Sequence, residues 1–341
     1  EIIRWWLDKG VDGFRMDAIT FISKDTDFPV VTPQEIRDKF QGEWSHYYAS
    51  GPHLHEYLRE MHEEVFDHYD AMILAEGPGI LCSHALEFVD EERKELDMFT
   101  HFEGIGIGYV PGKFKKIDPG GYDIAAFKKV YSAWSDTFRE KGWCTLYLGN
   151  HDQPRMVSRW GNDAPEFRTV SAKLLFTFLL SMRSTPFIYN GDEIGMTNIR
   201  FKKIEDYRDL ETKRMYERIR SSGGDVAAFL RDQELTARDN SRTPFQWNAE
   251  PQAGFTTVNP WISINENYRE INAAAEENNS GSILHYFRKM VQFRKQCPAL
   301  VYGPYQLLDS DPNLFVYLRT GEEIKLLVVL NFSKMNTSYR I

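Results

Sequence analysis

The chain has 341 residues, 42% of them hydrophobic and 27% charged, and a formal net charge of −9. This is the balance of a globular protein with a mildly acidic surface, and the absence of any long Lys/Arg run excludes nucleic acid as a partner. No apolar stretch reaches the roughly 18 residues that span a bilayer, so no membrane partner is expected either; the longest, Leu174 to Met182, is interrupted by Thr177 and Ser181.

Glu1 to Lys9 reads as the tail of an amphipathic helix carrying Ile2, Ile3, Trp5, Trp6 and Leu7, with Gly10 as its stop. A short apolar run then leads to Asp17. Beyond a loop in which Asp25 to Pro33 is rich in turn formers, a helix is expected from about His53 to Tyr69, with Leu54, Tyr57, Leu58, Met61 and Val65 at helical spacing. A strand over Ala71 to Ala75 delivers Glu76, a helix near His84 to Lys94 follows, and Asp97 to Phe102 reads as a strand with Glu103 at its rim. A helix near Ile124 to Lys141 precedes a strand over Trp143 to Leu148 and the cluster Asn150, His151 and Asp152.

Glu166 to Met182 has the pattern of a buried helix, and Pro186 to Tyr189 that of a last strand of the alternating series. Gly191 to Trp261 is a long excursion with helices near Leu210 to Arg220 and Val226 to Leu235, the size of loop that serves as a lid or pocket wall. Ser282 to Gln296 is a closing helix. From Tyr305 the pattern turns to β-runs, Tyr305 to Leu308, Leu314 to Leu318 and Lys325 to Phe332, with Ser338 to Ile341 read as part of another strand.

Cys82, Cys144 and Cys297 are far apart and lack metal-ligand spacing, which points to three free thiols in a reducing, cytoplasmic compartment. No metal and no cofactor is expected.

Three carboxylates stand at the ends of short apolar runs: Asp17 in GVDGFRMDAI, Glu76 in AMILAEG and Asp152 in LYLGNHDQPR. Each run has the length of a buried strand, so the three acids are expected to meet at one rim. Acetal cleavage needs a proton on the leaving oxygen and negative charge beside an oxocarbenium-like centre, which two carboxylates supply and a third assists.

GVDGFRMDAI, ILAEGPG and LGNHDQPR, in this order, resemble three consecutive signature regions of the α-amylase superfamily of glycoside hydrolases. TPFIYNGDEIGMTN, ARDNSRTPFQWN, AGFTT and NPWISINENYREIN are similar to its oligo-1,6-glucosidase, α-glucosidase and sucrose isomerase branch. The resemblance implies an α/β fold: the C-terminal part of a (β/α)8 TIM barrel, strands four to eight, over residues 1–300, and the start of a small all-β C-terminal domain over 301–341. It also implies that the first three barrel strands precede Glu1 in a longer protein. Without them, an open barrel edge would leave this stretch poorly folded.

The roles implied are Asp17 as nucleophile, Glu76 as general acid/base and Asp152 as the transition-state stabiliser. Arg15, two residues before Asp17 on the same strand face, would keep that acid ionised. His151 would bind sugar hydroxyls, and Arg238 the non-reducing glucose, with Arg242 as the second candidate.

The implied activity is a retaining, exo-acting α-glucosidase on short maltose- and isomaltose-type oligosaccharides. The alternatives are a trehalose-6-phosphate hydrolase, with Lys113, Lys115 and Lys116 near the phosphate, and a sucrose isomerase. FEGIGIGYVPGKF stands where the isomerases carry an RLDRD-type run, which argues for hydrolysis. Ala18, where relatives preferring α-1,6 bonds usually have Val, leaves space beside the neighbouring sugar and points to broad linkage preference. The stretch YNGDEIG departs from the more usual YQGEEIG, and Gly149 stands where relatives often have a polar residue. The oligomeric state is left open.

Overall fold

A computed structural model describes residues 1–27, 29–30, 32, 34–35, 49–118 and 121–340. Phe28, Val31 and Pro33 of the turn-rich loop and Ile341 of the last expected strand lie outside the described residues. The chain divides into two compact units, one of residues 1–106 with 127–146 and one of 107–126 with 147–341.

The first unit is built on parallel strands. The helix Ile2–Leu7 ends where Gly10 takes a left-handed φ of 89° and returns its N–H to the Leu7 carbonyl, as the glycine stop predicts. Strand β1 (Gly13–Met16) pairs in parallel with β2 (Met72–Gly77), with Met16 opposite Ala75. Strand β2 pairs in parallel with β3 (Met98–His101), with Glu76 opposite Thr100. Beyond β3 lies the two-residue β4 (Thr145–Leu146), whose Thr145 hydroxyl donates to the Phe99 carbonyl at 3.1 Å.

Ile73, Ala75 and Phe99 are fully buried, as parallel strands covered on both faces require. Leu54 and Leu58 of the helix Leu54–Glu64 join the same core. Trp134 and Phe138 pack edge-on to Phe99 with centroids at 5.7 and 6.5 Å. Burying such a ring contributes about 1.5–3 kcal/mol.

Two expectations change here. The helix from His53 ends at Glu64, because β-branched Val65 leaves helical geometry before a 3-10 turn over Phe66–His68. The helix expected near His84 to Lys94 is three short pieces, Cys82–His84, Leu86–Val89 and Glu91–Arg93. Extended Asp90 caps the last of them through the Glu92 N–H at 3.2 Å, and Lys94 turns left-handed, so local side-chain bonding wins over helix propagation.

The second unit holds β5 (Thr185–Pro186), shorter than expected because Tyr189 to Gly191 already forms a turn, with Gly191 at φ 100°. The helix Pro165–Ser181 begins with proline at its first turn and buries Leu175, Phe176, Phe178 and Leu179. It packs on the helix Ile283–Gln296 through Phe176 and Phe287, 4.8 Å apart, and through Thr177 and Tyr286, whose hydroxyls lie at 2.6 Å. Buried Arg294 donates to the carbonyls of Leu180, Met182, Ser184 and Leu300, which satisfies groups that the helix ends leave open.

The long excursion carries helices Leu210–Ser221 and Val226–Thr236, each started by an aspartate, Asp209 and Asp225, that accepts amide N–H bonds. The chain then forms an antiparallel sheet of β6 (Tyr305–Leu307), β7 (Leu314–Thr320) and β8 (Lys325–Asn331) with β7 central. Tyr317 of β7 bonds the Ser181 hydroxyl at 2.6 Å, tying the sheet to the helix Pro165–Ser181. Residues 338–340 have no regular structure. No helix among the described residues is long and apolar enough to cross a membrane.

Candidate active site

In the first unit Asp17 follows β1 and Glu76 lies at the end of β2. Met16 faces Ala75 across the pair, so the next step of the register brings Asp17 level with Glu76. Arg15 projects on the same face as Asp17, two residues on. Its Nη1 pairs with Asp17 Oδ1, and its Nη2 lies 2.9 Å from Glu76 Oε1, so one guanidinium bridges both carboxylates.

The chain then turns sharply. Ala18 is left-handed, with φ 44° and ψ 39°, and this conformation aims its N–H at Glu76 Oε2, 3.0 Å away. Thr20 continues the link by donating its hydroxyl to the Pro78 carbonyl at 2.8 Å. The loops after β1 and β2 are therefore stitched together around the two acids.

Their environments differ. Asp17 has 79% of its side chain exposed, against 15% for Glu76. Burial raises the Glu76 carboxyl above its ordinary value, and the charge and hydrogen bond of Asp17 add to the rise. The Ala18 N–H and Arg15 oppose it without cancelling it. Such a division leaves Glu76 the carboxyl better able to hold a proton.

In the second unit the Asn150 side chain accepts the Asp152 N–H at 2.8 Å, which shapes the turn. Asp152 Oδ1 pairs with Arg242 Nη2 and lies 3.5 Å from Arg238 Nη1. Arg242 Nε also donates to the His151 carbonyl at 2.8 Å. His151 is exposed, with Nε2 3.7 Å from Asp152 Oδ2. Arg238 is itself held by Glu211 at 2.8 Å and faces Asp209 at 3.8 Å. The buried Asp239 carboxylate accepts the N–H groups of Arg208 at 2.6 Å and Asp209 at 2.9 Å, fixing the start of the helix Leu210–Ser221 beside this loop.

Arg15, Asp17 and Glu76 are thus brought together in one unit, and His151, Asp152 and Arg238 in the other. Arg242, the second candidate in sequence, has the direct pairing with Asp152. Sequence reasoning missed the Ala18 N–H, because no side chain announces it, and it missed Glu211. The residues Asp209 to Thr212 do carry a helix-capping signal that locates Glu211.

A cavity of about 610 Å³ opens beside Arg238 and Arg242 and is also lined by Arg208, Arg214 and Arg218. Lys115 and Lys116 are engaged by Glu211 at 2.9 Å and Asp232 at 3.6 Å. Among the described residues no three His, Cys, Asp or Glu side chains group as metal ligands.

Parallel strands with flanking helices, releasing carboxylates at the carboxyl ends of neighbouring strands, define the class of the βα-barrel enzymes. Residues 1–303 match the alpha-amylase catalytic domain, and the chain belongs to this family of glycoside hydrolases. It is 45% identical over its whole length to an oligo-1,6-glucosidase of Parageobacillus thermoglucosidasius, covering 60% of that protein. It is 40% identical to the trehalose-6-phosphate hydrolase of Bacillus subtilis, with 97% of the chain and 58% of that protein covered. Its fold superposes on an isomaltulose synthase mutant of Erwinia rhapontici in complex with D-glucose with a TM-score of 0.92 at 39% identity, covering 97% of the chain and 58% of that structure. The chain spans about 60% of the length of the curated relatives it matches.

Proposed function

We propose that this chain carries the reacting carboxylates of a retaining, exo-acting α-glucosidase that releases glucose from short maltose- and isomaltose-type oligosaccharides. The observation that carries the reading is the Arg15 bridge between Asp17 and Glu76. A guanidinium that reaches both acids supports the roughly 5–5.5 Å carboxyl spacing of retention, whereas inversion needs about 6.5–9.5 Å to admit a water.

Asp17, paired with Arg15, attacks the anomeric carbon. Glu76, raised by burial, gives its proton to the leaving oxygen and then takes one from the incoming water. Asp152 stabilises the oxocarbenium-like centre, while His151 and Arg238 hold sugar hydroxyls. This reading takes β1 to β5 as barrel strands four to eight, residues 1–300 as barrel domain and 301–341 as all-β domain. It places the enzyme in the cytoplasm, a reading supported by Cys82, Cys144 and Cys297 being thiols rather than disulfides.

The test is turnover of p-nitrophenyl-α-glucoside, maltose and isomaltose. Asp17→Asn and Asp152→Asn lower kcat by at least about 10³-fold, and Glu76→Gln lowers it by about 10²–10⁴-fold on unactivated substrates. Activity of the parent protein falls as pH rises through the raised Glu76 value, and Glu76→Gln removes that limb. An Asp17→Asn protein with parental kcat overturns the assignment.

A second reading, hydrolysis of a phosphorylated disaccharide, is favoured by the arginine-lined cavity and by the relationship to a trehalose-6-phosphate hydrolase. A higher kcat/KM for trehalose 6-phosphate than for isomaltose selects it. Isomerisation of sucrose has less support, since FEGIGIGYVPGKF lacks the arginines expected of the isomerases.

A further inference from the structure

The helix Leu210–Ser221 turns one row of side chains, Leu210, Arg214 and Arg218, each a turn apart, into the cavity of about 610 Å³. Met215 of the same helix and Phe114 join Leu210 as its apolar lining. Leu210 is 65% exposed, so apolar surface is left uncovered there. Phe114 is backed by Phe229 of the helix Val226–Thr236, with ring centroids 6.1 Å apart. The start of the helix Leu210–Ser221 is fixed by Asp209, whose carboxylate accepts the Thr212 N–H at 3.0 Å and the Thr212 hydroxyl at 2.6 Å.

Charge in this cavity is not balanced. Five arginines line it, Arg208, Arg214, Arg218, Arg238 and Arg242, against the acids Asp209 and Glu211. Both acids are already engaged: Asp209 caps the helix, and one oxygen of Glu211 receives Arg238 at 2.8 Å and Lys115 at 2.9 Å. Arg242 pairs with Asp152. Arg208 donates through Nε to a neutral group, the Trp261 carbonyl, at 2.8 Å. The Arg214 and Arg218 guanidinium groups have no ion pair or hydrogen bond with any described residue. Unpaired arginines on a surface helix are ordinarily solvated and spread apart. These two instead share one concave wall with Arg208, and like charges at this helical spacing destabilise one another. A bound anion removes that repulsion.

We propose that this cavity binds a phosphorylated sugar, its phosphate held by Arg214, Arg218 and Arg208 and its ring laid against Phe114, Leu210 and Met215. Guanidinium forks match phosphate oxygens in pairs, and a phosphate ester offers them three strong acceptors. The ring covers apolar surface that is otherwise in contact with water. For a ligand that is cleaved, the inference rests on the second reading above and names the groups that select the phosphate; a sugar phosphate that binds without being cleaved meets the same groups. A phosphate ester gains its second charge at about pH 6, so affinity rises with pH through that value.

Isothermal titration calorimetry of the parent protein with glucose 6-phosphate, glucose and inorganic phosphate tests this. Glucose 6-phosphate binds at least about tenfold tighter than either of the others, and its affinity falls as salt is raised from about 50 to 200 mM. Arg214→Gln and Arg218→Gln together weaken it by about tenfold or more, because charge-assisted hydrogen bonds are lost, and Arg214→Lys with Arg218→Lys keeps part of the affinity. Arg220→Gln, on the same helix but paired with Glu217, binds as the parent does. Turnover then identifies the source of the phosphate. If it belongs to the substrate, the kcat/KM ratio of trehalose 6-phosphate to trehalose falls by about tenfold or more in the double glutamine protein. If it belongs to a ligand that is not cleaved, that ratio is the same in both proteins and only the binding of glucose 6-phosphate is lost. Glucose 6-phosphate bound no tighter than glucose or inorganic phosphate, or bound equally by the parent and the double glutamine protein, overturns the proposal. A parent protein without glycosidase activity counts against the proposed function alone, since calorimetry needs no turnover.

Discussion

At the scale of single residues, Ala18 shows how backbone geometry does the work of a side chain. Its left-handed conformation turns one amide toward Glu76 and costs an L-residue roughly 1–2 kcal/mol. Ala18→Gly removes that strain at some cost in chain entropy, so urea denaturation should show stability unchanged or raised by about 1 kcal/mol or less. Ala18→Val adds a β-branched residue where φ is positive and should lower stability by about 1–3 kcal/mol. The expectation that residue 18 sets linkage preference is then checked by the α-1,4 to α-1,6 rate ratio of Ala18→Val, with Ala18→Gly as the control that keeps the Glu76 contact. An unchanged ratio in the valine protein removes the idea. The acids and arginines of the candidate site were legible as residue types within short motifs. That both arginines meet Asp152 was not, because Arg238 and Arg242 stand one helical turn apart in sequence and only the folded loop brings the two to one carboxylate.

At the scale of elements, the β1–β2 pairing depends on a close approach. A Cβ at Gly13 would come within 2.3 Å of the Met72 carbonyl oxygen and 2.9 Å of its nitrogen, both backbone atoms that cannot step aside. Gly13→Ala should therefore separate the strands that carry Asp17 and Glu76. The expected loss is about 1–3 kcal/mol in chemical denaturation, with a fall in activity larger than the stability loss explains. Long helices with an apolar face were readable, as in Pro165–Ser181 and Ile283–Gln296, because periodicity accumulates over several turns. The segment from Cys82 to Arg93 was not, since its aspartate and clustered glutamates favour local caps. The short β4 and β5 also escaped their expected bounds. Two residues hold too little pattern to mark where a strand stops.

At the scale of the whole molecule, two buried titratable groups tilt stability against pH in opposite directions. His101 is fully buried and stacked on Trp134 at 4.1 Å, and burial lowers it from 6.5 to about 3. The unfolded chain takes up a proton that the folded one refuses, so stability rises with pH across that window. Asp192 moves the other way, from 3.8 up to about 7, chiefly by burial. The folded protein keeps a proton the unfolded one has lost, and stability falls as pH climbs through that range. His101→Gln should flatten the acid side of the Tm profile, and Asp192→Asn the approach to neutrality. A Tm profile in which neither substitution changes a slope contradicts these assignments.

The residue types of the candidate site, their order, the long amphipathic helices and the family could be read from the letters alone, because these are written in local pattern and in side chains. Tertiary structure alone decided that one guanidinium joins Asp17 to Glu76, that Ala18 donates to the same acid, that Arg242 shares Asp152 with Arg238, and that Asp192 is buried. Each of these depends on strand register, on a left-handed turn or on burial, quantities set by contacts between residues far apart in the chain, which no local stretch of letters contains.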